Sequence, residues 1–215
     1  MEKIRILCYG DSNTWGFVSG TDHLRYGIGE RWTSILAGLL GQDFEILEEG
    51  LNSRTLTSND MRPGKVGKNG YEYLIPCLDT HDPIDLVVLM LGTNELRNIY
   101  NNTAREIGEK LEEYFVKTIL NRKSQFKDSY PKLLIVAPPP VNEDMDYCKE
   151  DNLYLGASAK ASEVDKIYEE IATKYDCYFL STKDLDTGID GVHITKESHK
   201  KLAEKLKIEI SKIYK

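Results

Sequence analysis

Short apolar segments alternate along the chain with longer segments in which apolar residues recur every three or four positions. The short segments predict five strands, at 4–9, 44–47, 84–91, 133–137 and 177–180. The segment 84–91 is continuously apolar rather than alternating, which is typical of a strand covered on both faces by helices. We therefore predict that it is the central strand of a sheet.

The longer segments predict amphipathic helices at 30–40, 69–78, 103–126, 157–175 and 195–213. Gly41 follows the first of them at a typical helix-stop position. Pro76 is expected to bend or end the second helix, and Thr195 is expected to cap the last. Residues 138–155 begin with three prolines and show no period, which predicts a long loop.

Strands and helices alternate through the whole chain. This alternation predicts right-handed βαβ crossovers and an α/β fold, here a three-layer α/β/α sandwich with a five-stranded parallel sheet. Because the 215 residues contain no linker or internal repeat, residues 1–215 are expected to form a single domain. Ligands bind such sheets beyond the carboxyl ends of the strands. Functional residues are therefore expected at those ends.

The composition argues against several kinds of partner. A net charge of −7 disfavours nucleic-acid binding, which needs clustered Lys and Arg. No apolar stretch approaches the ~18 residues of a membrane span, and the N-terminal apolar run is too short for a signal peptide. The four cysteines form no Cys-x-x-Cys pair, so neither a structural zinc site nor a redox motif is supported. These features predict a cytoplasmic protein that needs no metal.

A candidate nucleophile, Ser12, lies directly after the first predicted strand. A serine hydroxyl needs a neutral imidazole to accept its proton and usually a carboxylate to orient that imidazole. His193 follows Asp190 by three positions in the loop after the last strand, which allows the carboxylate to reach Nδ1 while Nε2 faces the serine. His23 and His81 lie in polar, turn-like segments. His199 lies among the lysines of the last helix, where a solvated position is expected.

Acyl transfer also needs hydrogen-bond donors aimed at the developing oxyanion. The backbone of Gly50 and the side-chain amide of Asn94 each follow a predicted strand and are candidates. Glycine allows a close approach of the backbone, and a carboxamide donates without adding charge. Taken singly, each of these motifs is also ordinary turn chemistry. Their joint order along the chain is what favours a catalytic site.

Gly-Asp-Ser at 10–12, then Gly50, Gly-x-Asn at 92–94 and Asp-x-x-His at 190–193 resemble the sequence blocks of the SGNH (GDSL) hydrolase family. The resemblance spans nearly the whole chain. Segments 9–16, 49–55 and 89–96 are similar to the arylesterase/acyltransferase branch. One departure is Asn13, where the GDSL motif has Leu, although Asn also occurs there in relatives.

The resemblance implies a flavodoxin-like fold and a catalytic triad of Ser12, Asp190 and His193. It also implies an oxyanion hole formed by the Ser12 backbone, Gly50 and Asn94, with no metal and no organic cofactor. The implied substrate is a small-molecule ester with a short acyl chain, which forms an acyl-enzyme on Ser12 and is hydrolysed or passed to another acceptor. Some relatives form homo-oligomers, so self-association is a further expectation.

Alternatives to the short-chain esterase stay open. The same triad could deacetylate sugars or hydrolyse lysophospholipids, or a non-catalytic flavodoxin-like protein could bind the phosphate of FMN at residues 12–14. Arg54 could contact a polar leaving group, although a loop arginine is expected to be solvated. The side chains expected to shape the acyl and leaving-group pockets are Trp15, Phe17, Met145, Tyr147 and Tyr154.

Overall fold

A computed structural model describes residues 2–215. Its five strands form one sheet in the order β2, β1, β3, β4, β5, and all neighbouring pairs are parallel. This is the strand order of flavodoxin-like sheets, and the third strand lies at the centre as predicted. The strands are β1 (Ile4–Gly10), β2 (Phe44–Gly50), β3 (Leu86–Met90), β4 (Lys132–Val136) and β5 (Tyr178–Leu180).

The sheet is buried on both faces because alternate residues of its inner strands enter two separate cores. Leu7 and Tyr9 of β1 belong to one hydrophobic cluster, and Ile6 and Cys8 belong to the other. Strand β3 is buried over its full length, which explains why its sequence is continuously apolar. Two apolar faces require two covering layers of helices.

The α-helices are α1 (Ser12–Trp15), α2 (Trp32–Leu40), α3 (Gly70–Thr80), α4 (Ala104–Lys110), α5 (Lys117–Leu120), α6 (Asp146–Lys149), α7 (Ala157–Lys174) and α8 (Lys196–Ile213). Helices α3, α4 and α7 contribute to the core on one face of the sheet, and α2 and α8 contribute to the core on the other. The predicted three-layer α/β/α sandwich is therefore confirmed. Within residues 2–215, no helix combines the length and apolar character needed to cross a membrane.

The amphipathic helix predicted at 103–126 is shorter and less regular in the structure. Helix α4 continues into a π-helical stretch, Leu111–Val116, and then into α5, so the helical segment ends at Leu120. Phe126, at the predicted end, is 74% exposed. The apolar period identified the face that packs, but a π-bulge changes the turn geometry in a way that this period does not reveal.

Pro76 does not end α3, which continues to Thr80. Pro76 lies on the exposed side of the helix, whereas Leu74, Cys77 and Leu78 around it are buried. A proline inside a helix costs about 3 kcal/mol, and burying a leucine side chain contributes about 1.5–3 kcal/mol. The burial of three apolar side chains therefore offsets the proline.

Two segments are more ordered than predicted. Strand β2 extends three residues beyond the predicted 44–47, and Glu48 in this extension is paired with Arg31 rather than solvated. The predicted loop 138–155 contains α6 and a 3₁₀ turn at Glu150–Asn152. In both places, polar residues that suggest a loop are stabilised by partners that are distant in the sequence or by short local turns.

His199 is buried, so the expectation of a solvated side chain is wrong. Its Nδ1 accepts a hydrogen bond of 3.2 Å from the Trp32 backbone N–H, and its ring packs edge-on against Tyr26. Nε2 has no partner within residues 2–215. Burial, and secondarily the nearby His193, lower the pKa of His199 to about 3. The lysines beside it in the sequence are exposed because only one face of α8 packs on the core.

Replacing His199 with Asn is expected to reduce the acid sensitivity of the fold. The unfolded chain takes up a proton at this histidine below pH ~6.5, whereas the folded chain resists protonation down to about pH 3, so stability is lost as the pH falls through this window. Asn keeps an acceptor for the Trp32 N–H but does not titrate. Denaturant unfolding measures the free energy of unfolding at pH 7 and at pH 5. Between these two pH values the wild type should lose about 2 kcal/mol more of this free energy than His199→Asn. Equal losses in the two proteins would contradict the assignment.

Candidate active site

Strands β1 and β2 both end in glycine, and Gly10 and Gly50 lie side by side in the sheet register. A Cβ on Gly10 would lie 2.1 Å from Thr14 Oγ1, and a Cβ on Gly50 would lie 2.2 Å from the Trp15 backbone nitrogen. Side-chain atoms do not approach so closely, so α1 can pack on these strand ends only because both positions are glycine. This packing places Ser12, the first residue of α1, at the edge of the sheet.

Asp11 caps the one-turn helix that carries Ser12. Its Oδ1 accepts a hydrogen bond of 2.9 Å from the backbone N–H of Asn13. Asp11 is buried, and this burial raises its pKa although the hydrogen bond from the Asn13 N–H and the charges of His193 and Arg54 oppose the shift. The cap fixes the start of α1 and therefore the position of the Ser12 hydroxyl.

Ser12, His193 and Asp190 form an unbroken hydrogen-bonded chain. His193 Nε2 lies 2.9 Å from Ser12 Oγ, and His193 Nδ1 lies 2.7 Å from Asp190 Oδ2. With a neutral ring, the serine hydroxyl donates to Nε2 and the Nδ1–H donates to the carboxylate. All three residues are buried. The structure therefore brings together the three residues that the sequence assigns to nucleophile, base and orienting acid.

The loop that carries His193 also positions Asp190. Gly191 has a left-handed φ of 73°, and in this turn Asp190 Oδ1 accepts hydrogen bonds of 2.9 Å from the N–H groups of Val192 and His193. Burial alone would raise the pKa of Asp190. The hydrogen bond and charge of His193, together with the two backbone donors, outweigh burial and lower that pKa below its usual range. Asp190 is therefore ionised beside the imidazole.

Asn13 connects two segments, a role that the sequence pattern did not suggest. One is the turn of the predicted nucleophile at residues 12–14 (the nucleophile turn), and the other is the loop at residues 190–194 (the histidine loop). Its Oδ1 accepts a hydrogen bond of 2.9 Å from the Ile194 N–H, and its Nδ2 donates at 3.4 Å to the Val192 carbonyl. These two bonds flank His193, whose ring also stacks on Phe17 with 4.3 Å between ring centroids. The sequence feature that could have indicated this role is Asn13 itself, at a position where the motif has Leu. A buried amide needs hydrogen-bond partners, and these must come from elsewhere in the fold.

Asn94 lies in the 3₁₀ turn Thr93–Leu96, directly after β3. Its Nδ2 donates a hydrogen bond of 2.9 Å to the Arg54 carbonyl, which uses one of its two amide hydrogens and leaves the other for a ligand. Gly50 lies at the same edge of the sheet, against α1. The two residues thus lie at the same edge of the sheet, on either side of β1, and their role in an oxyanion hole stays a prediction.

Arg54 is buried, which contradicts the solvated position expected of a loop arginine. Its Nη1 donates to the carbonyls of Gly10 and Glu49, and its guanidinium lies 4.1 Å from the centroid of the Tyr9 ring. Buried carbonyls at the ends of β1 and β2 need such donors. Arg54 therefore positions the ends of β1 and β2.

Glu95 is a buried acid next to Asn94 that the sequence did not single out. Its Oε1 accepts a hydrogen bond from the Leu56 N–H, and its Oε2 has no partner in the described part of the chain. Burial raises the pKa of Glu95 to about 8, so the side chain is mostly neutral at pH 7. It connects the turn after β3 to the loop after β2. No local pattern reveals this role because tertiary packing alone buries the carboxyl group.

A cavity of about 400 Å³ opens beside His193. Phe17 and Tyr147 line it, whereas Tyr154 is fully buried and its hydroxyl accepts a hydrogen bond of 3.0 Å from Arg97 Nε. Tyr154 therefore supports the loop from beneath and does not contact the cavity. The lining residues are Phe17, Gly20, Thr21, His23, Tyr147, Ile189, Asp190 and His193, and they do not include Trp15 or Met145.

The fold and the hydrogen-bonded residues at its edge define a class of protein, the flavodoxin-like serine hydrolases. The model of the GDSL-like lipase/acylhydrolase family matches residues 8–201. The chain therefore belongs to this family, and it is a carboxylic ester hydrolase. The family and the fold class predicted from the sequence are confirmed.

Solved structures of two esterases are similar over almost the full length. Est24, a carbohydrate acetylesterase from Sinorhizobium meliloti, is 32% identical and has a TM-score of 0.90, with 98% of this chain and 100% of that chain covered. The aryl esterase of M. smegmatis is 34% identical and has a TM-score of 0.88, with 97% and 98% covered. Comparison with curated proteins gave no match.

The FMN-binding alternative is disfavoured by the family and by the contacts of the 12–14 turn. Ser12 and Asn13 are bonded to the histidine loop, so their side chains are engaged within the protein rather than directed to a phosphate. The hydrogen bonds of this turn therefore fit the predicted nucleophile better than a phosphate-binding loop.

Replacing Asn13 with Ala is expected to lower kcat by about 10- to 100-fold with little change in KM, because His193 would lose the contacts that hold its loop against Ser12. Leaving the buried Ile194 N–H without an acceptor should also cost about 1–3 kcal/mol of stability. Steady-state kinetics and thermal unfolding of Asn13→Ala measure both effects. Asn121→Ala, on the exposed surface, is the matched control. A folded Asn13→Ala protein with wild-type kcat would exclude the positioning role.

Proposed function

We propose that the chain hydrolyses short-chain carboxylic esters through a covalent acyl-enzyme on Ser12. His193 is the general base, and Asp190 orients its imidazole. The observation that carries this proposal is the unbroken hydrogen-bond chain from Asp190 through His193 to Ser12 Oγ, beside an open cavity. A weak nucleophile is activated by just such a base, which is itself oriented by a third group.

In the first half of the reaction, Ser12 Oγ attacks the ester carbonyl carbon while His193 Nε2 accepts the hydroxyl proton. The bond from the carbonyl carbon to the leaving oxygen then breaks, and the imidazolium gives its proton to the departing alkoxide. In the second half, the imidazole accepts a proton from a water whose oxygen attacks the acyl carbon. The bond from the acyl carbon to Ser12 Oγ then breaks, the imidazolium returns the proton to Oγ, and the carboxylic acid is released. An alcohol in place of water would yield a new ester. The ionised Asp190 stabilises the imidazolium in both halves.

We assign oxyanion stabilisation to the backbone N–H groups of Ser12 and Gly50 and to the side-chain amide of Asn94. These residues follow or end β1, β2 and β3, which are neighbours in the sheet. The second amide hydrogen of Asn94 supports the assignment because the Arg54 carbonyl fixes the amide while using only one of its hydrogens. A single donor of this kind typically contributes about 10²- to 10³-fold in kcat.

Ser12→Ala and His193→Ala are each expected to lower kcat for an aryl acetate by about 10⁴-fold or more, because either change removes the nucleophile or its base. The double variant should lose little beyond the larger single loss, since the two residues act as one unit. Steady-state kinetics with the aryl acetate measure the change in kcat. Fluorophosphonate labelling of the wild-type protein tests whether Ser12 is the nucleophile.

Ser211→Ala, on the exposed side of α8, is the matched serine control and should keep wild-type kinetics. Circular dichroism of each variant verifies that it is folded. If folded Ser12→Ala kept most of its activity, or if the fluorophosphonate labelled another residue, the assignment of the nucleophile would be wrong.

The cavity beside His193 favours small substrates. Its volume of about 400 Å³ is at the lower end of the ~300–1,000 Å³ range of ligand pockets. The lining combines aromatic Phe17 and Tyr147 with polar Thr21 and His23. Aromatic rings offer stacking surfaces, and the polar groups offer hydrogen bonds to hydroxyls. Aryl and sugar leaving groups both suit this lining, and the two similar esterases act on these two kinds of ester.

Activity is expected to be highest on acetyl esters and to fall as the acyl chain lengthens, because the small cavity restricts the acyl and leaving groups together. An ester panel with acetyl, butyryl and octanoyl groups on one aryl alcohol measures this dependence as kcat/KM. An acetylated sugar and a lysophospholipid complete the panel. Acetate release from the sugar at a rate near that from the aryl acetate would support the alternative in which the enzyme deacetylates sugars. Preference for the octanoyl ester or the lysophospholipid would contradict the short-chain proposal.

We also propose that the enzyme is cytoplasmic and self-associates. All four cysteines are free thiols, which suits a reducing compartment. The proposal of self-association rests on large apolar side chains that are exposed at the surface; the most exposed are Leu24, Ile28, Met61, Val66, Ile99, Phe126, Leu155 and Ile189. A monomeric molar mass in light scattering at micromolar concentration would contradict self-association.

A further inference from the structure

Glu49, Cys77 and His81 form a cluster of three metal-ligand side chains outside the proposed triad. One carboxylate oxygen, the thiol sulfur and one imidazole nitrogen all lie within 4.8 Å of one another. Glu49 Oε1 lies 2.8 Å from His81 Nε2. Ligands bound tetrahedrally at the usual Zn²⁺ distances of about 2.0–2.3 Å lie roughly 3.2–3.8 Å apart. Small side-chain movements would therefore admit an ion.

The backbone already positions the three side chains. Cys77 and His81 are four residues apart at the end of α3, so they share one helix face, and the His81 N–H donates at 3.1 Å to the Cys77 carbonyl. The His81 carbonyl accepts a hydrogen bond of 2.6 Å from Arg5 Nη1. Glu49 lies in β2, in register with Tyr9 of β1. Regular secondary structure thus fixes all three backbones before any ion binds.

Glu49 and Gly50 point to opposite sides of the sheet, because successive residues of a strand alternate. Gly50 faces α1 and the nucleophile turn, whereas Glu49 reaches the histidine of α3. The cluster is therefore separate from the proposed catalytic residues although it begins one residue away. The mechanism proposed above uses none of its three side chains.

Solvent can reach the cluster from one side. The side chains of Glu49 and His81 are 19% and 23% exposed, and the thiol of Cys77 is buried behind them. A cavity of about 430 Å³ opens on the Glu49 side, where Arg54 and Tyr73 also line it. Two arginines lie near the cluster, and each already donates to backbone carbonyls. Arg54 Nη1 donates to Gly10 and Glu49, and Arg5 Nη1 donates to His81 and Pro83. The Glu49 side is therefore the solvent-facing side of the cluster.

We propose that Glu49, Cys77 and His81 bind one Zn²⁺ ion, each through a single atom, with water as the fourth ligand. Thiolate, imidazole and carboxylate together suit Zn²⁺, whereas Mg²⁺ and Ca²⁺ require oxygen ligands. The sequence did not reveal this site because only the Cys-x₃-His pair is local. The third ligand comes from β2, 28 residues before Cys77, and only the fold brings it into reach.

Zinc binding exchanges one proton for the metal. Burial, and secondarily the charge of Glu49, raise the pKa of Cys77 to about 12, so the metal-free residue is a thiol. Formation of the zinc–sulfur bond releases that proton to solvent. The Glu49–His81 hydrogen bond is replaced by two bonds to the ion, and the neutral imidazole shifts its proton from Nε2 to Nδ1 so that Nε2 can bind. The bound ion would link β2 to α3, and the folded state should be stabilised because the unfolded chain lacks this geometry.

Cobalt(II) tests the site in the full-length protein because a thiolate ligand to Co²⁺ produces a charge-transfer absorption band. Titration of chelator-treated wild type with Co²⁺ should produce this band with an endpoint of one equivalent, and Zn²⁺ should remove it by displacement. Zn²⁺ should also raise the thermal midpoint. Absence of the band in wild type would overturn the proposal.

Cys77→Ser should abolish the band and the thermal shift, whereas Cys177→Ser, which removes a half-buried thiol elsewhere, should keep both. Persistence of the band in Cys77→Ser would assign the metal to another thiol and overturn the proposal. If Cys77→Ser fails to fold, His81→Gln and Glu49→Gln provide the test. Each should weaken Co²⁺ binding by at least about tenfold. Unchanged affinity in both would also overturn the site.

Discussion

The close contact between α1 and the ends of β1 and β2 is the constraint on which the rest of the site depends. Gly10 and Gly50 leave no side chain between the sheet and this single helical turn, and a Cβ at either position would lie 2.1–2.2 Å from atoms of the turn. Because α1 packs directly against the ends of β1 and β2, Ser12 lies level with the strand ends, next to the turn after β3. A larger residue at either glycine would move Ser12, the proposed nucleophile, away from the donors proposed for the oxyanion.

The proposed base, His193, reaches Ser12 from the far end of the sequence, and two independent sets of contacts hold it there. Within its own loop, the left-handed Gly191 lets Asp190 accept two backbone N–H groups and the imidazole N–H together. Across the chain, Asn13 bonds to the residues on either side of His193. The first set orients the imidazole, and the second fixes its distance from the nucleophile. Both are needed because a base must be placed as well as oriented.

Strand β2 illustrates how alternation in a sheet lets adjacent residues serve different purposes. Gly50 faces the nucleophile turn, while Glu49 faces α3 and forms the proposed zinc site with Cys77 and His81. Arg54 lies between these regions and donates to the carbonyls of both Gly10 and Glu49. The Arg54 guanidinium therefore donates the hydrogen bonds that water would otherwise give to these two carbonyls. This role explains why a charged loop residue is almost inaccessible to solvent.

The sequence by itself determined the α/β class, the central strand and the order of the motifs at the strand ends, because these depend on local periodicity and on turn residues. It even paired Asp190 with His193, since three positions in one loop already limit their separation. Only the tertiary structure decided that His199, Arg54 and Glu95 are buried, that Asn13 bonds to a loop some 180 residues later, and that Glu49 meets α3. Burial and distant hydrogen bonds depend on which surfaces pack together, and no local pattern of residue types encodes that choice.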